Sequence, residues 1–256
     1  MPLNHAALAA ELHRARTERR EIEALTDRAE ISIEDAYAIQ AEGVRLREAE
    51  GERVIGGKLG FTSEAMRRAM GVDEPNYGWL TDAMALADGT VALDRFIHPK
   101  AEPEIAFLLD ADLGPDASAD DVLEATAGVA VCLEIVDSRY RDFVFRAADN
   151  VADDSSAAAF VVGTSLSRPF AGLADVGVVL TVNGELADTA AGGAVMPDPA
   201  SAVAWMARAT LAAGTRGLRR GDLVLSGGLT APVALERGMT VTVEIDRIGS
   251  ASLRVR

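Results

Sequence analysis

The most apolar segment of the chain, residues 128–137, constrains the fold more than any other feature, because apolar side chains occupy both of its faces. Valine, leucine and isoleucine at 129, 131, 133 and 135 would lie on one face of a strand, with alanine, cysteine and valine at 130, 132 and 136 on the other. Such a strand is covered on both sides by other parts of the protein. Glu134 interrupts the run, and a buried carboxylate needs a cation or hydrogen-bond donors as partners.

Two further acids stand in a second apolar segment, residues 98–109. If this segment is a strand, Glu102 and Glu104 share one face and Ile105 and Phe107 point to the core; at about 3.3 Å per residue the two acidic Cα atoms lie roughly 6–7 Å apart. A hard cation such as Mg²⁺ or Mn²⁺ would offset the cost of burying both charges, because such ions bind carboxylate oxygens. A solvated strand face with two surface acids explains the same pattern, so the residues alone leave both interpretations open.

Composition narrows the class of protein. The formal net charge of −15 argues against nucleic acid or an anionic membrane as a partner. No apolar run approaches the roughly 18–20 residues of a membrane span, and the first residues lack a secretory pattern. The one cysteine, Cys132, excludes an internal disulfide and predicts a cytoplasmic protein with this thiol in its core. With so few thiols and imidazoles, any metal would be held by oxygen ligands.

The order of elements predicts an α+β protein with a rolled, mixed β core rather than a doubly wound sheet. Residues 1–50 predict an amphipathic helical cap, whose second helix starts at Ser32 with Asp35 completing the N-cap. Residues 51–256 predict a rolled β domain with peripheral helices, because strands outnumber helices there. The apolar side of the cap favours a homo-oligomer.

Polar groups around the first predicted strand, residues 54–60, are candidates for chemistry. Lys58 lies between glycine and leucine; a buried lysine serves as an acid, base or anion holder, whereas a solvated lysine at a strand end is the simpler interpretation. Thr62 or Ser63 would cap the short helix that follows and ends at Gly71.

Two turn-rich segments could line a site. Residues 71–80 predict a loop with two aromatic side chains. Residues 226–230 predict a glycine-rich turn whose backbone N–H groups could hold a carboxylate. The turn lacks the spacing of a phosphate-binding loop, which argues against a nucleotide.

Five segments occur in a set order: residues 57–63, 71–75, 99–105, 134–139 and 151–156. Together they resemble the hydratase/decarboxylase branch of the fumarylacetoacetate hydrolase superfamily, over about residues 30–256. The resemblance implies that residues 51–256 are a catalytic β-roll domain like the C-terminal domain of that superfamily, with a Mg²⁺ or Mn²⁺ site made by Glu102, Glu104 and Glu134. It also implies that the substrates are small 2-oxo or 2-hydroxy dienoic acids from catechol meta-cleavage.

The resemblance implies two competing activities. One is decarboxylation of 2-oxohex-3-enedioate (4-oxalocrotonate) to 2-hydroxypenta-2,4-dienoate and CO₂; the other is hydration of 2-hydroxypenta-2,4-dienoate. Residues 97–100 resemble the decarboxylases. The similar hydratases carry an aspartate where this chain has Asn76, and an amide cannot act as a carboxylate base, so we expect decarboxylation. A second departure is Asp154, where asparagine is usual.

The resemblance also implies roles for the remaining residues. Lys58 would orient the substrate or supply a proton. Further substrate contacts are expected from Thr62, Ser63, Asp73, Asn76, Tyr77, Lys100, Ser226, Gly227 and Thr230. Two alternatives have less support: a non-catalytic subunit in complex with a paralogous hydratase, and a carbon–carbon hydrolase, which would need a histidine–glutamate pair that the sequence does not reveal.

Overall fold

A computed structural model of the protein describes residues 3–256. Helices α1 to α6 span His5–Glu18, Ile33–Ala49, Glu64–Met70, Ala119–Glu124, Ala147–Ala152 and Pro199–Ala212. Strands β1 to β6 span Val54–Gly60, Asn76–Thr81, Thr90–Val91, Lys100–Leu109, Thr126–Val136 and Ala157–Val162. Strands β7 to β12 span Gly177–Val182, Glu185–Ala191, Leu223–Leu225, Val233–Ala234, Thr240–Ile245 and Gly249–Val255.

Two sheets form the β core. The larger has the strand order β2-β1-β9-β4-β5-β6, with β10 also paired to β4, and the smaller has the order β3-β12-β11-β7-β8. In the larger sheet β1 and β9 are parallel, and the other pairs are antiparallel. The mixed sheets with peripheral helices confirm the predicted α+β class.

Strand β5 lies at the centre of this arrangement, as its sequence predicts. Every residue of β5 except Ala127 is buried. One face, with Val131 and Leu133, belongs to the largest apolar cluster, which also contains side chains of the smaller sheet. The other face places Cys132 in a separate apolar cluster, so this thiol is a core side chain. The acid of Glu134 lies on that second face.

The two N-terminal helices pack on the rest of the chain through an apolar cluster of their own. Ser32 begins α2 with the predicted capping box, in which the side chains and backbone N–H groups of Ser32 and Asp35 bond reciprocally. The cluster is completed by Tyr140 and Val151, which lie far along the chain. The boundary at residue 50 stays a prediction, and the first two residues of the predicted cap lie outside the described residues.

The prediction of a loop over residues 71–80 is wrong for the second half of this segment. Residues 76–81 form β2, whose six residues are all buried, and only residues 71–75 form a loop. Turn-forming residues up to Gly78 concealed this strand, which β1 holds by antiparallel pairing. Among residues 3–256, no helix combines the length and apolar character needed to cross a membrane.

Candidate functional site

Three acidic side chains meet on one face of the larger sheet. Glu102 and Glu104 lie two residues apart on β4 and therefore share a face. Glu134 lies directly opposite Glu102 in the antiparallel β4–β5 pairing. One carboxylate oxygen from each residue lies within 4.8 Å of the other two. Glu104 and Glu134 are fully buried and Glu102 is half-buried, so water compensates little of their charge.

Lys58 brings a single positive charge into this cluster. Its Nζ lies 3.2 Å from Oε2 of Glu134. Its hydrogen bonds, however, go to the carbonyl oxygen of Ser155 at 3.0 Å and to the hydroxyl of Ser155 at 3.3 Å. Desolvation alone lowers the pKa of Lys58, but the carboxylates of Glu134, Glu104 and Glu102 outweigh it and raise that pKa. The lysine is therefore an ammonium group and a hydrogen-bond donor.

The cluster has the charge and the free oxygens that a divalent cation requires. With all three acids ionised, the three carboxylates and one ammonium group would leave two negative charges uncompensated. Burial, and then the charge of Glu134, hold the pKa of Glu104 well above its ordinary value, and burial raises the pKa of Glu102 to about 7. Oε1 of Glu104 and both carboxylate oxygens of Glu134 accept no aligned hydrogen bond. These residues fit a hard, oxygen-binding cation.

A strained turn holds Lys58 in place. Asp154, Ser155 and Ser156 have successive φ angles of 53°, 53° and 58°. The left-handed conformation costs roughly 1–2 kcal/mol for each non-glycine residue, so neighbouring contacts must stabilise it. The N–H of Trp79 donates to Oδ1 of Asp154 at 2.8 Å, and the N–H of Asp137 donates to the carbonyl of Ser156 at 2.9 Å. The turn points the Ser155 carbonyl at the lysine.

Asn76 contacts the same turn from β2. Its Oδ1 accepts from the Ser155 hydroxyl at 3.0 Å, and its Nδ2 donates to Oδ1 of Asn150 at 2.8 Å. A Cβ atom on Gly60, across the strand pair, would lie 2.2 Å from Oδ1 of Asn76, so glycine is required there. The structure thus places an amide, bonded at both ends, beside Ser155 and Lys58.

The turn that follows β9 packs against the acidic cluster. The N–H of Gly227 donates to Oε2 of Glu104 at 2.7 Å. A Cβ atom on Gly228 would lie 3.1 Å from Oε2 of Glu102, so the glycine lets the backbone approach this carboxylate closely. Buried Thr62 packs on Gly227 from the segment before α3.

Only part of this turn is free to hold a substrate carboxylate. The N–H and hydroxyl of Ser226 already pair with the backbone of Ile105. The N–H of Leu229 donates to the Pro103 carbonyl at 2.9 Å. Among the described residues, the N–H groups at 228 and 230 have no backbone partner, and the Thr230 hydroxyl bonds only its neighbouring carbonyl.

Lys100 lies at the outer end of β4, on the same face as the two glutamates. It is half-buried, with Nζ 3.9 Å from the ring centroid of Phe143. No carboxylate among the described residues lies within 4.0 Å of this ammonium. Residues Asp142 and Phe143 also have left-handed φ angles, of 56° and 60°. A cation without an ionic partner is therefore held at the edge of the cluster.

The structure does not bring every predicted contact to the cluster. Tyr77 lies on the face of β2 opposite to Asn76 and stacks on Tyr37, with ring centroids 4.5 Å apart. Asp73 is exposed in the loop after α3 and does not belong to the cluster of three glutamates. The Ser63 hydroxyl caps α3 by accepting from the Met66 N–H at 3.1 Å.

Two features of the structure were not predicted from the sequence. Ser155 belongs to one of the five segments, but nothing in its residue type announces a left-handed backbone. Histidine–glutamate pairs also exist: Nε2 of His13 lies 2.8 Å from Oε1 of Glu50, and Nδ1 of His98 lies 3.0 Å from Oε1 of Glu21. Because Nε2 of His98 lies 2.7 Å from the Ser138 carbonyl, both ring nitrogens face acceptors and neither is free to activate water.

Comparison with known proteins gives matches along the whole chain. The fumarylacetoacetate (FAA) hydrolase C-terminal family matches residues 59–256. A 2-hydroxyhexa-2,4-dienoate hydratase of Comamonas testosteroni is 41% identical over 249 residues, which are 95% of this chain and 94% of the hydratase. A 4-oxalocrotonate decarboxylase of Pseudomonas putida is 37% identical over 252 residues, 97% of this chain and 95% of the decarboxylase.

One solved structure is similar throughout. The 4-oxalocrotonate decarboxylase from Pseudomonas putida G7, complexed with magnesium and adipate, has a TM-score of 0.95 at 35% sequence identity. The similarity covers 100% of this chain and 99% of the other.

Replacing Glu104 with glutamine should stabilise the metal-free protein at pH 8 by about 1–3 kcal/mol, because a neutral amide avoids the free-energy cost of either ionising this buried carboxyl group or keeping it protonated. The pKa of Glu104 is higher in the folded than in the unfolded protein, so wild-type stability falls as pH rises from the unfolded value toward the folded value. Urea unfolding in chelator at pH 5 and pH 8 measures this, with exposed Glu244→Gln as the control. Destabilisation by Glu104→Gln at pH 8 would contradict the charge argument.

Proposed function

The chain belongs to the fumarylacetoacetate hydrolase family, and we propose that it decarboxylates 2-oxohex-3-enedioate (4-oxalocrotonate) at the acidic cluster. Both compared relatives are lyases, a hydratase and a decarboxylase, and the chain is a lyase-type enzyme like them. The proposed products are 2-hydroxypenta-2,4-dienoate and CO₂.

The observation that favours decarboxylation is the amide of Asn76. Adding water to a diene needs a base that takes a proton from the attacking water. Asn76 cannot be that base, and both of its polar ends are already bonded to Ser155 and Asn150. Lys58 is held as an ammonium group and is not a base. Decarboxylation needs no base, because the departing CO₂ leaves its electron pair behind.

Glu102, Glu104 and Glu134 would hold a divalent cation, for which we propose Mg²⁺. Magnesium is present in the similar decarboxylase structure, and Mn²⁺ prefers the same carboxylate ligands. When bound, the cation would supply Lewis-acid stabilisation of the negative charge that develops on the 2-oxo group of the substrate.

Lys58 supplies the second positive group. As the C5–C6 bond of the substrate breaks and its electron pair moves toward the C2 oxygen, the ammonium group donates a hydrogen bond and then a proton to the dienolate. The proton is replaced from solvent. Ser155 fixes the direction of Nζ, so the donor is oriented before charge develops, and a preorganised donor of this kind contributes about 3–4 kcal/mol.

Lys100 is proposed to bind the distal carboxylate. It lies two residues from Glu102, roughly 6–7 Å along the strand. The five carbon–carbon bonds of the substrate, each about 1.5 Å, span roughly 6 Å between the carboxyl carbons. The strand spacing and the length of the substrate are thus similar, which supports the Lys100 ammonium over Phe143 as the partner of the second carboxylate.

Hydration of 2-hydroxypenta-2,4-dienoate is the second candidate, because the 41% identical relative is a hydratase. A non-catalytic subunit has less support, since the cluster retains three acids and a lysine. A homo-oligomer, and a complex with a paralogous hydratase, stay predictions.

Turnover assays separate the two activities. With Mg²⁺, the purified protein should release CO₂ from 2-oxohex-3-enedioate and should not add water to 2-hydroxypenta-2,4-dienoate, whose absorbance then stays constant. Glu104→Gln should abolish CO₂ release, because one of three ligands loses its charge. Loss of dienoate absorbance without CO₂ release from the diacid would instead identify a hydratase.

Replacing Lys100 with methionine should raise KM for the diacid by about 10–100-fold and change kcat much less, because a charge-assisted contact to the distal carboxylate is lost. Methionine retains the apolar contact with Phe143. Steady-state CO₂ release measures both constants, and exposed Arg237→Met is the control. An unchanged KM in Lys100→Met would remove this residue from substrate recognition.

A further inference from the structure

An ion pair from the helical cap reaches the strained turn that orients Lys58. Nη2 of Arg47, near the end of α2, lies 3.1 Å from Oδ2 of Asp154, and both side chains are only 6% exposed. The other oxygen of Asp154 accepts from the Trp79 N–H. Oδ2 of Asp154 accepts no aligned hydrogen bond, so α2 holds Asp154 by charge attraction, whereas β2 holds it by the hydrogen bond to Oδ1.

A second contact shows that α2 holds this region as a unit. Nε2 of Gln40 donates to the carbonyl of Tyr77 at 2.9 Å and to the carbonyl of Val151 at 3.0 Å. These carbonyls belong to β2 and to α5, the two elements that flank the turn. One helix thus fixes both neighbours of the turn through Gln40 and the turn itself through Arg47.

The turn lies against Lys58, a side chain with a proposed role in the reaction. An ion pair that only stabilised the fold would not need to lie there. Its central residue, Ser155, presents both its carbonyl and its hydroxyl to the Lys58 ammonium. Its left-handed backbone is unfavourable for serine, so contacts to the flanking Asp154 must maintain it. Release of Asp154 would let the turn relax and move the Ser155 oxygens away from Lys58.

We propose that Arg47 and Asp154 are positioning residues for Lys58: their ion pair holds the left-handed turn, and the turn aims the ammonium group at the substrate. The inference rests on the role proposed above for Lys58. It gives the cap a part in the reaction without contact to substrate, and it gives aspartate at 154 a reason, since an asparagine there would bond Trp79 but would not attract Arg47.

Two variants test the proposal. Asp154→Asn keeps the shape and the acceptor for the Trp79 N–H but removes the charge that faces Arg47. Arg47→Met combined with Asp154→Asn removes both charges, so neither is left buried without a partner, and this double variant serves if the single one fails to fold. The control is Arg220→Met with Asp110→Asn, which removes another arginine–aspartate pair that contacts neither Lys58 nor Ser155.

The kinetic readout separates positioning from folding. In the double variant kcat should fall about 10–100-fold, the size of effect that a misplaced group produces. KM and the Mg²⁺ concentration for half-maximal activity should change less than about 3-fold, because the metal ligands and Lys100 are untouched. The control double variant should keep the wild-type kcat.

A second readout needs no turnover. Lys58 and Lys100 are the only lysines among the 25 lysines and arginines of the chain, so labelling lysine with ¹³C at Cε gives two side-chain signals in the full protein. The Lys58 signal should shift and sharpen in both Arg47/Asp154 variants as the side chain gains freedom. The Lys100 signal should stay in place as the internal reference.

Together, kcat and the ¹³C signal of Lys58 distinguish a positioning role from a purely structural contact. A folded double variant with wild-type kcat and an unchanged Lys58 signal would overturn the proposal and leave the pair a purely structural contact. If the wild-type protein releases no CO₂, the proposed function fails by itself, and the Lys58 signal alone then supports or overturns the positioning role.

Discussion

The rest of the structure keeps three carboxylates together beside one ammonium group in the interior of the protein. Glu102, Glu104 and Glu134 can come together only because β4 and β5 pair in a single register, with Glu102 opposite Glu134. A slip of one residue would turn Glu134 to the opposite face and into the main apolar cluster. The apolar residues on both faces of β5 prevent that slip, so the core specifies the site.

Around the cluster the backbone lies close to functional side chains, even where its local conformation is unfavourable. Glycines at 60, 227 and 228 stand where a Cβ atom would strike a functional side chain. Three left-handed residues at 154–156 point the oxygens of Ser155 at Lys58. The helical cap contributes to the same end, because α2 contacts the turn and both of its neighbours. The two-sheet core supplies the stability that offsets the free-energy cost of this strained backbone.

The sequence predicted the parts of the site that follow from a strand's alternation of faces. Glu102 and Glu104 share a face because they lie two residues apart, and Glu134 was recognisable as an acid in a buried strand. Their meeting depends on pairing between segments about thirty residues apart, which no local pattern encodes. Alternation also explains why Tyr77 points away from the cluster, since it is adjacent to Asn76 in a strand that turn-forming residues concealed. The left-handed serine and the pairing of Arg47 with Asp154 arise from tertiary contacts alone.

The central claim, that the three glutamates form one divalent cation site, can be tested by diffraction from a crystal soaked in Mn²⁺, with data collected at the manganese absorption edge. We expect a single strong anomalous peak, coordinated by one oxygen from each of Glu102, Glu104 and Glu134. A peak at other acids, or none at this cluster under conditions that support turnover, would contradict it.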